Sequence, residues 1–190
     1  ACERALVAAS KARADRSAAA ITEIQAHLAL ADGDIEAAIE LLRNVRAAHD
    51  RMGNPGAPRT RCLLRMAAMH VDLGDAHAAT AAARRAVEEM EELCEGLALR
   101  DSDTHLVLRR ACVPGVEMLA TAHVLHAKTC LLVNASASGG TGGGGFAEVA
   151  CAAGERACAL ARTYPAQVDP ALAASAYAAL GAAKLQLSGE

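Results

Sequence analysis

Three side chains that could bind a metal ion recur along one stretch of this sequence. His123, His126 and Cys130 stand at positions i, i+3 and i+7, which places them on one face of a helix. Zinc accepts imidazole nitrogen and thiolate sulfur as ligands, but a structural site needs a fourth ligand. The sequence offers no paired motif such as Cys-x-x-Cys. We therefore expect no bound metal and interpret the three residues as packed side chains.

A glycine tract supplies the second possible site. Gly140-Thr141-Gly142-Gly143-Gly144-Gly145 matches the letters of the G-x-G-x-x-G dinucleotide pattern. No strand precedes it, and no acidic residue stands about 20 positions on, where a ribose partner belongs. Phe146-Ala147 occupies the place where a phosphate-binding loop needs Lys and Ser or Thr. We expect no cofactor here and interpret residues 135–145 as a flexible insertion.

The cysteines and histidines also form no catalytic pattern. Cys151 and Cys158 lie seven residues apart, about 10 Å along a helix, which is beyond disulfide reach. No Cys-His or Ser-His-Asp arrangement follows from the spacing of the remaining residues. The sequence therefore predicts that the protein is not an enzyme. An all-helical enzyme with a site near His123 and His126 is kept as a third hypothesis.

A group of glutamates lies near the end of one predicted helix. Its members are Glu88, Glu89, Glu91, Glu92 and Glu95. Arg84 and Arg85 stand one turn earlier and balance part of this charge, which favours a solvated helix face. A binding surface for a basic partner is the second interpretation.

The elements that carry these residues are helices. Asp34 can cap the helix that starts at Ile35, and apolar residues recur along that helix at helical spacing. The segment Ile21–Leu30 forms a second helix just upstream, joined through the tight turn at residues 31–34. The two helices together predict an antiparallel helical hairpin.

The same pattern returns 41 positions further on, where Gly74-Asp75 takes the place of Gly33-Asp34. The apolar residues that follow the two glycines at offsets of five, nine and twelve are Ala38, Leu42 and Val45, then Ala79, Ala83 and Ala86. Ala26 and Ala67 stand seven positions before the same glycines. These motifs resemble the tetratricopeptide repeat, whose usual period is about 34 residues. The longer offset resembles the long-helix type found in kinesin light chains.

The resemblance implies an all-α fold, a right-handed α-solenoid of stacked antiparallel helical hairpins. Pro114-Gly115 should interrupt the third hairpin, leaving a short helix at 104–112 and a longer one at 115–134. Within a single segment over 1–190, we expect an orphan helix at 3–14, hairpins at 17–50 and 58–97, an irregular hairpin at 104–164 that carries the insertion, and the first helix of a truncated hairpin at 169–188. The segment is expected to belong to a larger chain or assembly.

In such arrays the first helix of each hairpin lines a concave groove that binds a peptide. By this resemblance the partner-binding positions are Glu23, His27, Arg61, Arg65 and Ala68. Arg61 and Arg65 lie one turn apart and could bind a carboxylate, although such arginines are also common on ordinary surfaces. The groove lacks the asparagines of the chaperone-binding members, so we expect no chaperone tail.

Composition narrows the class of partner. Hydrophobic residues make up 53% of the chain and aromatic residues only 2%, so the core must consist of Ala, Leu, Val and Met. The net charge of −3 predicts neither nucleic acid nor an anionic membrane as partner. No uncharged apolar run reaches the length of a membrane span. Seven scattered cysteines indicate a reducing compartment such as the cytoplasm.

These observations favour a non-enzymatic scaffold or adaptor that binds a protein or peptide partner. The alternative hypothesis is a sensory or regulatory helical-repeat arm that binds a small effector or a regulator protein.

Overall fold

The computed structural model describes residues 2–53, 56–98, 113–136 and 144–188. Every regular element in these ranges is an α-helix, so the predicted all-α class is confirmed. The helices are α1 (Cys2–Ala31), α2 (Ile35–Arg51), α3 (Ala57–Asp72), α4 (Ala76–Ala98), α5 (Val113–Ser136), α6 (Gly144–Thr163) and α7 (Pro170–Ser188).

The chain divides into two compact units, Ala1–Cys62 and Leu63–Glu190. The first unit contains α1, α2 and the start of α3, and the second contains the remainder of α3 together with α4 to α7. Within the first unit, α1 packs against α2. The buried side chains of α2 are Ala38, Ile39, Leu42 and Val45.

Helix α1 differs from its prediction. The expected orphan helix at 3–14 is wrong as a separate element, because one helix runs without a break from Cys2 to Ala31. The residues between 14 and 18 are Ala, Asp, Arg, Ser and Ala. None of them is a glycine or proline, so nothing at this point costs the helix a hydrogen bond or a backbone clash.

The two Gly-Asp turns adopt the same backbone structure. Gly33 has φ of 82° and Gly74 has φ of 76°, a left-handed conformation that glycine adopts without steric cost. The amide of Asp34 donates to the carbonyl of Ala29 at 2.9 Å. The amide of Asp75 donates to the carbonyl of His70, also at 2.9 Å. The repeat seen in the sequence is therefore a repeat of the local structure.

Both aspartates also cap the helix that follows. Asp34 Oδ1 accepts from the amide of Ala37 at 3.0 Å, which confirms the predicted cap. Asp75 Oδ1 accepts from the amide of Ala78 at the same distance. Each carboxylate thus satisfies one of the amides that a helix leaves without an intrahelical partner.

Helices α5, α6 and α7 pack together in the second unit. Val124 contacts Ala157 of α6 and Ala176 of α7, whereas Cys130 contacts Ala150 and Ala183. From Val124 to Cys130 along α5, the neighbouring residue number decreases on α6, from 157 to 150, and increases on α7, from 176 to 183. Helix α6 is therefore antiparallel to α5, and α7 is parallel to it.

Small side chains fill the layers between these three helices. From one end to the other, the buried layers are Val116, Ala120, Ala161, Tyr164 and Val168; Val124, Ala157, Cys158 and Ala176; Ala127, Ala153 and Ala179; and Cys130, Ala150 and Ala183. Alanine at the contact positions lets helix axes approach closely. Close packing of small side chains therefore forms the core of a chain that has no tryptophan and one phenylalanine.

The end of α5 and the start of α6 extend into the segment that was predicted to be a flexible insertion. Pro114 lies in the first turn of α5, where its missing amide hydrogen costs nothing. Residues 135, 136, 144 and 145 are helical, although the sequence predicted them in a flexible loop. The rest of that insertion and the predicted helix at 104–112 lie outside the described residues.

Helix α5 is the apolar centre of the second unit. It packs against α4, α6 and α7. By length and composition, Gly115–Ser136 could cross a membrane, but 61% of its most apolar window is buried inside the protein. A mostly buried core helix passes the same test, so this helix is weak evidence for a membrane span.

Candidate functional site

A cavity of about 290 Å³ lies between α4, α5 and α6, all in the second unit. Its lining residues are His77, Thr80, Ala81 and Arg84 from α4, His126 and Cys130 from α5, and Phe146 and Val149 from α6. The four residues of α4 recur at helical spacing and so share one face.

The floor of the cavity is buried and its rim is exposed. Thr80, His126 and Cys130 are buried, whereas Ala81, Arg84 and Val149 are exposed. At one side the ring of His77 meets the ring of Phe146 edge-on, with centroids 6.3 Å apart and planes at 72°. This edge-to-face arrangement is one that aromatic rings prefer.

His126 is the titratable group on the cavity floor. Burial lowers its pKa, and the positive charges of Arg84 and Arg156 lower it further, while Glu88 acts in the opposite direction. The imidazole is therefore neutral near pH 7 and carries one N–H donor. None of the described residues forms a hydrogen bond with its ring.

Arg84 supplies the positive charge at the rim. Its Nε lies 3.8 Å from Glu88 Oε1, and both side chains are more than half exposed. On the same helix, Arg85 Nε lies 3.5 Å from Glu89 Oε1. The solvated Arg84–Glu88 pair contributes little stability, and its carboxylate can be exchanged for another anion, whereas the Glu89 side chain is mostly buried. Both contacts agree with the predicted balance of the glutamate group by the two arginines.

His123 occupies a different environment. Its side chain is 3% exposed, and its Nε2 lies 3.6 Å from Glu91 Oε1. Glu91 Oε1 also accepts from Arg156 at 3.0 Å. Burial lowers the pKa of His123 to about 4, with the charge of Arg156 and the neighbouring His126 acting in the same direction. The carboxylate does not reverse this shift because it is paired with Arg156 and partly solvated.

The three residues considered as metal ligands therefore divide between two places. His126 and Cys130 line the cavity, whereas His123 faces Glu91. Among the side chains that the structure describes, no group of three or more His, Cys, Asp and Glu residues could hold a metal ion. All three are buried, as expected for packed side chains.

The cysteine on the cavity floor is a poor nucleophile. Burial raises the pKa of the Cys130 thiol to about 11, so almost none of it is thiolate near pH 7. Burial also raises the pKa of Cys158. Neither cysteine forms a disulfide, nor do Cys62 and Cys151.

The predicted partner-binding residues are not gathered into one described site. Glu23, His27 and Arg61 belong to the first unit, and Arg65 and Ala68 to the second. His27, Arg61 and Ala68 are exposed, whereas Glu23 and Arg65 are partly buried.

Sequence reasoning missed two features of the first and second units. It treated Ile21–Leu30 as the apolar partner of α2, but Ile21, Ile24 and Leu28 are exposed. It also did not foresee the cavity, because the cavity depends on how three separate helices pack and not on spacing along one of them. The spacing of His126 and Cys130 was the only signal of the cavity that the sequence carried.

The part of the chain that the structure describes is all-α and contains the small cavity described above. No protein-family model, no curated protein and no solved structure matches this chain.

Proposed function

We propose that this chain is a non-enzymatic scaffold or adaptor segment that binds a peptide or partner subunit through the exposed side of α1. The observation that carries the proposal is a stripe of large apolar side chains on that helix. Ile21, Ile24 and Leu28 are 57%, 60% and 60% exposed. Their spacing of three and four residues aligns them along the helix axis, and we name them the α1 stripe.

The α1 stripe lies away from the buried side of the helix. Within residues 10–31 of α1, for which the structure describes burial, Ala19 and Ala26 are buried. Helical geometry places them about half a turn around the axis from the stripe. Covering one such side chain would contribute about 1 kcal/mol or more, so the stripe could supply most of the affinity for a helical or extended peptide. Single exposed leucines are common on proteins, but an aligned set of three is typical of a binding surface.

His27 borders the stripe and remains part of the proposed surface. Arg61, Arg65, Ala68 and Glu23 enter the proposal through the resemblance to tetratricopeptide repeats, in which first helices line the groove. We propose the same right-handed α-solenoid of stacked hairpins for this chain. The matching hydrogen bonds at Gly33-Asp34 and Gly74-Asp75 support it, because a repeated local structure favours a repeated packing.

We propose a reducing compartment, such as the cytoplasm, as the location. The absence of disulfides at Cys62, Cys130, Cys151 and Cys158 supports this proposal. The near-balanced charge supports a protein partner over nucleic acid or a membrane surface.

The second candidate function is a regulatory arm that binds a small effector. The cavity between α4, α5 and α6 favours it, because clefts between packed helices are common ligand sites.

The test compares two double variants of the full chain that add the same charge to α1. Ile24→Glu with Leu28→Glu disrupts the stripe, whereas Ala14→Glu with Leu30→Glu changes exposed positions that do not adjoin it on the helix. Partners captured by the unaltered chain are identified by mass spectrometry, purified and titrated against each variant. We expect the stripe variant to lose at least tenfold in affinity and the control to lose less than twofold.

Equal loss in both variants, or no loss in either, would contradict the proposal. Far-ultraviolet circular dichroism and melting temperature establish that both variants fold. A third variant, Arg61→Glu, tests the predicted groove separately from the stripe.

A further inference from the structure

We propose that the cavity between α4, α5 and α6 binds a small organic monocarboxylate with an apolar body of about ten non-hydrogen atoms. This inference rests on the second candidate function, effector binding. It is independent of partner binding by the α1 stripe.

The size of the cavity sets the size of the ligand. Its volume of about 290 Å³ is at the lower end of the range of roughly 300–1,000 Å³ for small-molecule sites. A water molecule takes about 30 Å³ of liquid, so the space equals about ten such volumes. A single aromatic ring or a branched alkyl chain with one carboxylate fits this space, and a nucleotide does not.

The walls determine the apolar part of the ligand. Ala81, Phe146 and Val149 face the cavity with hydrocarbon surface, and Cys130 adds a protonated thiol at the floor. The ring of Phe146, held edge-on by His77, offers an aromatic surface to a planar ligand. A ligand without an apolar body would leave this surface in contact with water.

The polar groups determine the charge of the ligand. Arg84, His77 and His126 are donors on the lining, and no acidic side chain lines the cavity among the described residues. The hydroxyl of Thr80 already donates to the carbonyl of Ala76 at 2.8 Å. Recognition of an anion therefore falls to Arg84 and the two imidazoles, of which that of His126 is the buried one.

His126 is the observation that points to a bound molecule. Its side chain is 8% exposed and lines the cavity, yet no described residue forms a hydrogen bond with its ring. The ring nitrogens are not among the described buried polar atoms that lack a partner, so they stay accessible to water in the cavity, and a ligand oxygen would replace that water. Arg84 can add a charge-assisted hydrogen bond because its present partner, Glu88, is a solvated carboxylate at 3.8 Å.

The experiment uses isothermal titration calorimetry of the full chain with phenylacetate, phenylacetamide and sulfate. Phenylacetate has the apolar body and the charge, the amide lacks the charge, and sulfate lacks the apolar body. We expect saturable binding of phenylacetate that is about tenfold tighter than that of either control ligand.

Two arginine variants of α4 distinguish a specific effect at the cavity from a general effect of the protein's net charge. Arg84→Gln should weaken phenylacetate binding about tenfold, to the level of the amide. Arg85→Gln removes the same charge from a residue that does not line the cavity, and it should change the affinity less than twofold. Ala81→Phe should close the mouth of the cavity and abolish binding of both organic ligands.

Three results would overturn the inference. These are no saturable binding of phenylacetate up to about 10 mM, equal binding of the amide or of sulfate, and equal weakening in the two arginine variants. Titration of the α1 stripe variant with phenylacetate distinguishes the two proposals. Its affinity should equal that of the unaltered chain, because the stripe lies outside the second unit.

Discussion

Gly154 of α6 lies directly against the backbone of Leu180 of α7. A Cβ atom added at position 154 would stand 3.1 Å from Leu180 Cα and 3.3 Å from its amide nitrogen. These atoms belong to the main chain of a helix and cannot rotate away as a side chain would. The absence of a side chain at 154 therefore sets how closely α6 and α7 approach.

Replacing Gly154 with alanine should destabilise the second unit. The added methyl group must push the helices apart by a few tenths of an ångström, at a cost of about 1–3 kcal/mol. Up to about 1 kcal/mol of this is offset by the higher helix propensity of alanine. Urea denaturation followed by circular dichroism measures the net change.

Gly181→Ala is the matched control. Gly181 is an exposed residue of α7, and a Cβ there would meet nothing within 4 Å. The same substitution should therefore stabilise the protein by about 0.5–1 kcal/mol. A stabilising Gly154→Ala would show that the helices can separate at no cost.

Stability should fall as pH falls because His123 is neutral in the folded chain. Its pKa is lowered to about 4, whereas an unfolded histidine titrates near 6.5. Between these values the unfolded state binds more protons, so the free energy of unfolding decreases as pH drops and levels off below about 4. From pH 7.5 to 5.5 the loss from this residue is about 1 kcal/mol.

His123→Gln should remove that part of the pH dependence. The pH dependence of the unfolding free energy that remains comes from other groups. One of them is His126, whose pKa is also lowered. If the His123 variant retains the full slope, the shifted titration belongs to another residue.

The capping aspartates should each contribute measurable stability. Asp34→Ala and Asp75→Ala remove the acceptors for the amides of Ala37 and Ala78, at a cost of about 1 kcal/mol each. Asp32→Ala alters a neighbouring exposed aspartate that caps no helix, and it should cost less than about 0.5 kcal/mol. Thermal denaturation of the three variants measures the difference. Equal effects would show that general charge, and not capping, is responsible.

The buried thiols should resist alkylation in the folded chain. With a pKa of about 11, about one Cys130 thiol in a thousand is thiolate at pH 8, and burial restricts access to it. Cys151 is only partly buried and should react first with iodoacetamide. Peptide mapping by mass spectrometry follows each site over time. In urea the two rates should become equal; equal rates in the folded chain would contradict the burial of Cys130.

Much of the local structure was predictable from short stretches of sequence. The Asp34 cap and the turns at Gly33-Asp34 and Gly74-Asp75 depend on residues within a few positions of each other. The separate helix at 3–14 was wrong because a gap in an apolar pattern does not end a helix. No glycine or proline stands at residues 14–18 to interrupt the helix.

The side of α1 that is buried was not predictable in the same way. The large residues Ile21, Ile24 and Leu28 suggested the contact with α2, but within residues 10–31 the buried residues are Ala19 and Ala26. Small side chains permit closer approach of two helices, and which side does so depends on the fit between two surfaces. The spacing of apolar residues shows that α1 has apolar sides. It does not show which of those sides packs against α2.

The sequence by itself determined the all-α class and the repeated Gly-Asp turns, because helix propensity, capping and positive φ act within one or two turns of chain. Only the tertiary structure decided which distant residues meet. It places Thr80, His126 and Phe146 around one cavity, and it pairs Glu91 with Arg156 at 3.0 Å. The lowered pKa of His123 also follows from burial by neighbouring helices. Such relations depend on how helices pack, which spacing along a single helix does not encode.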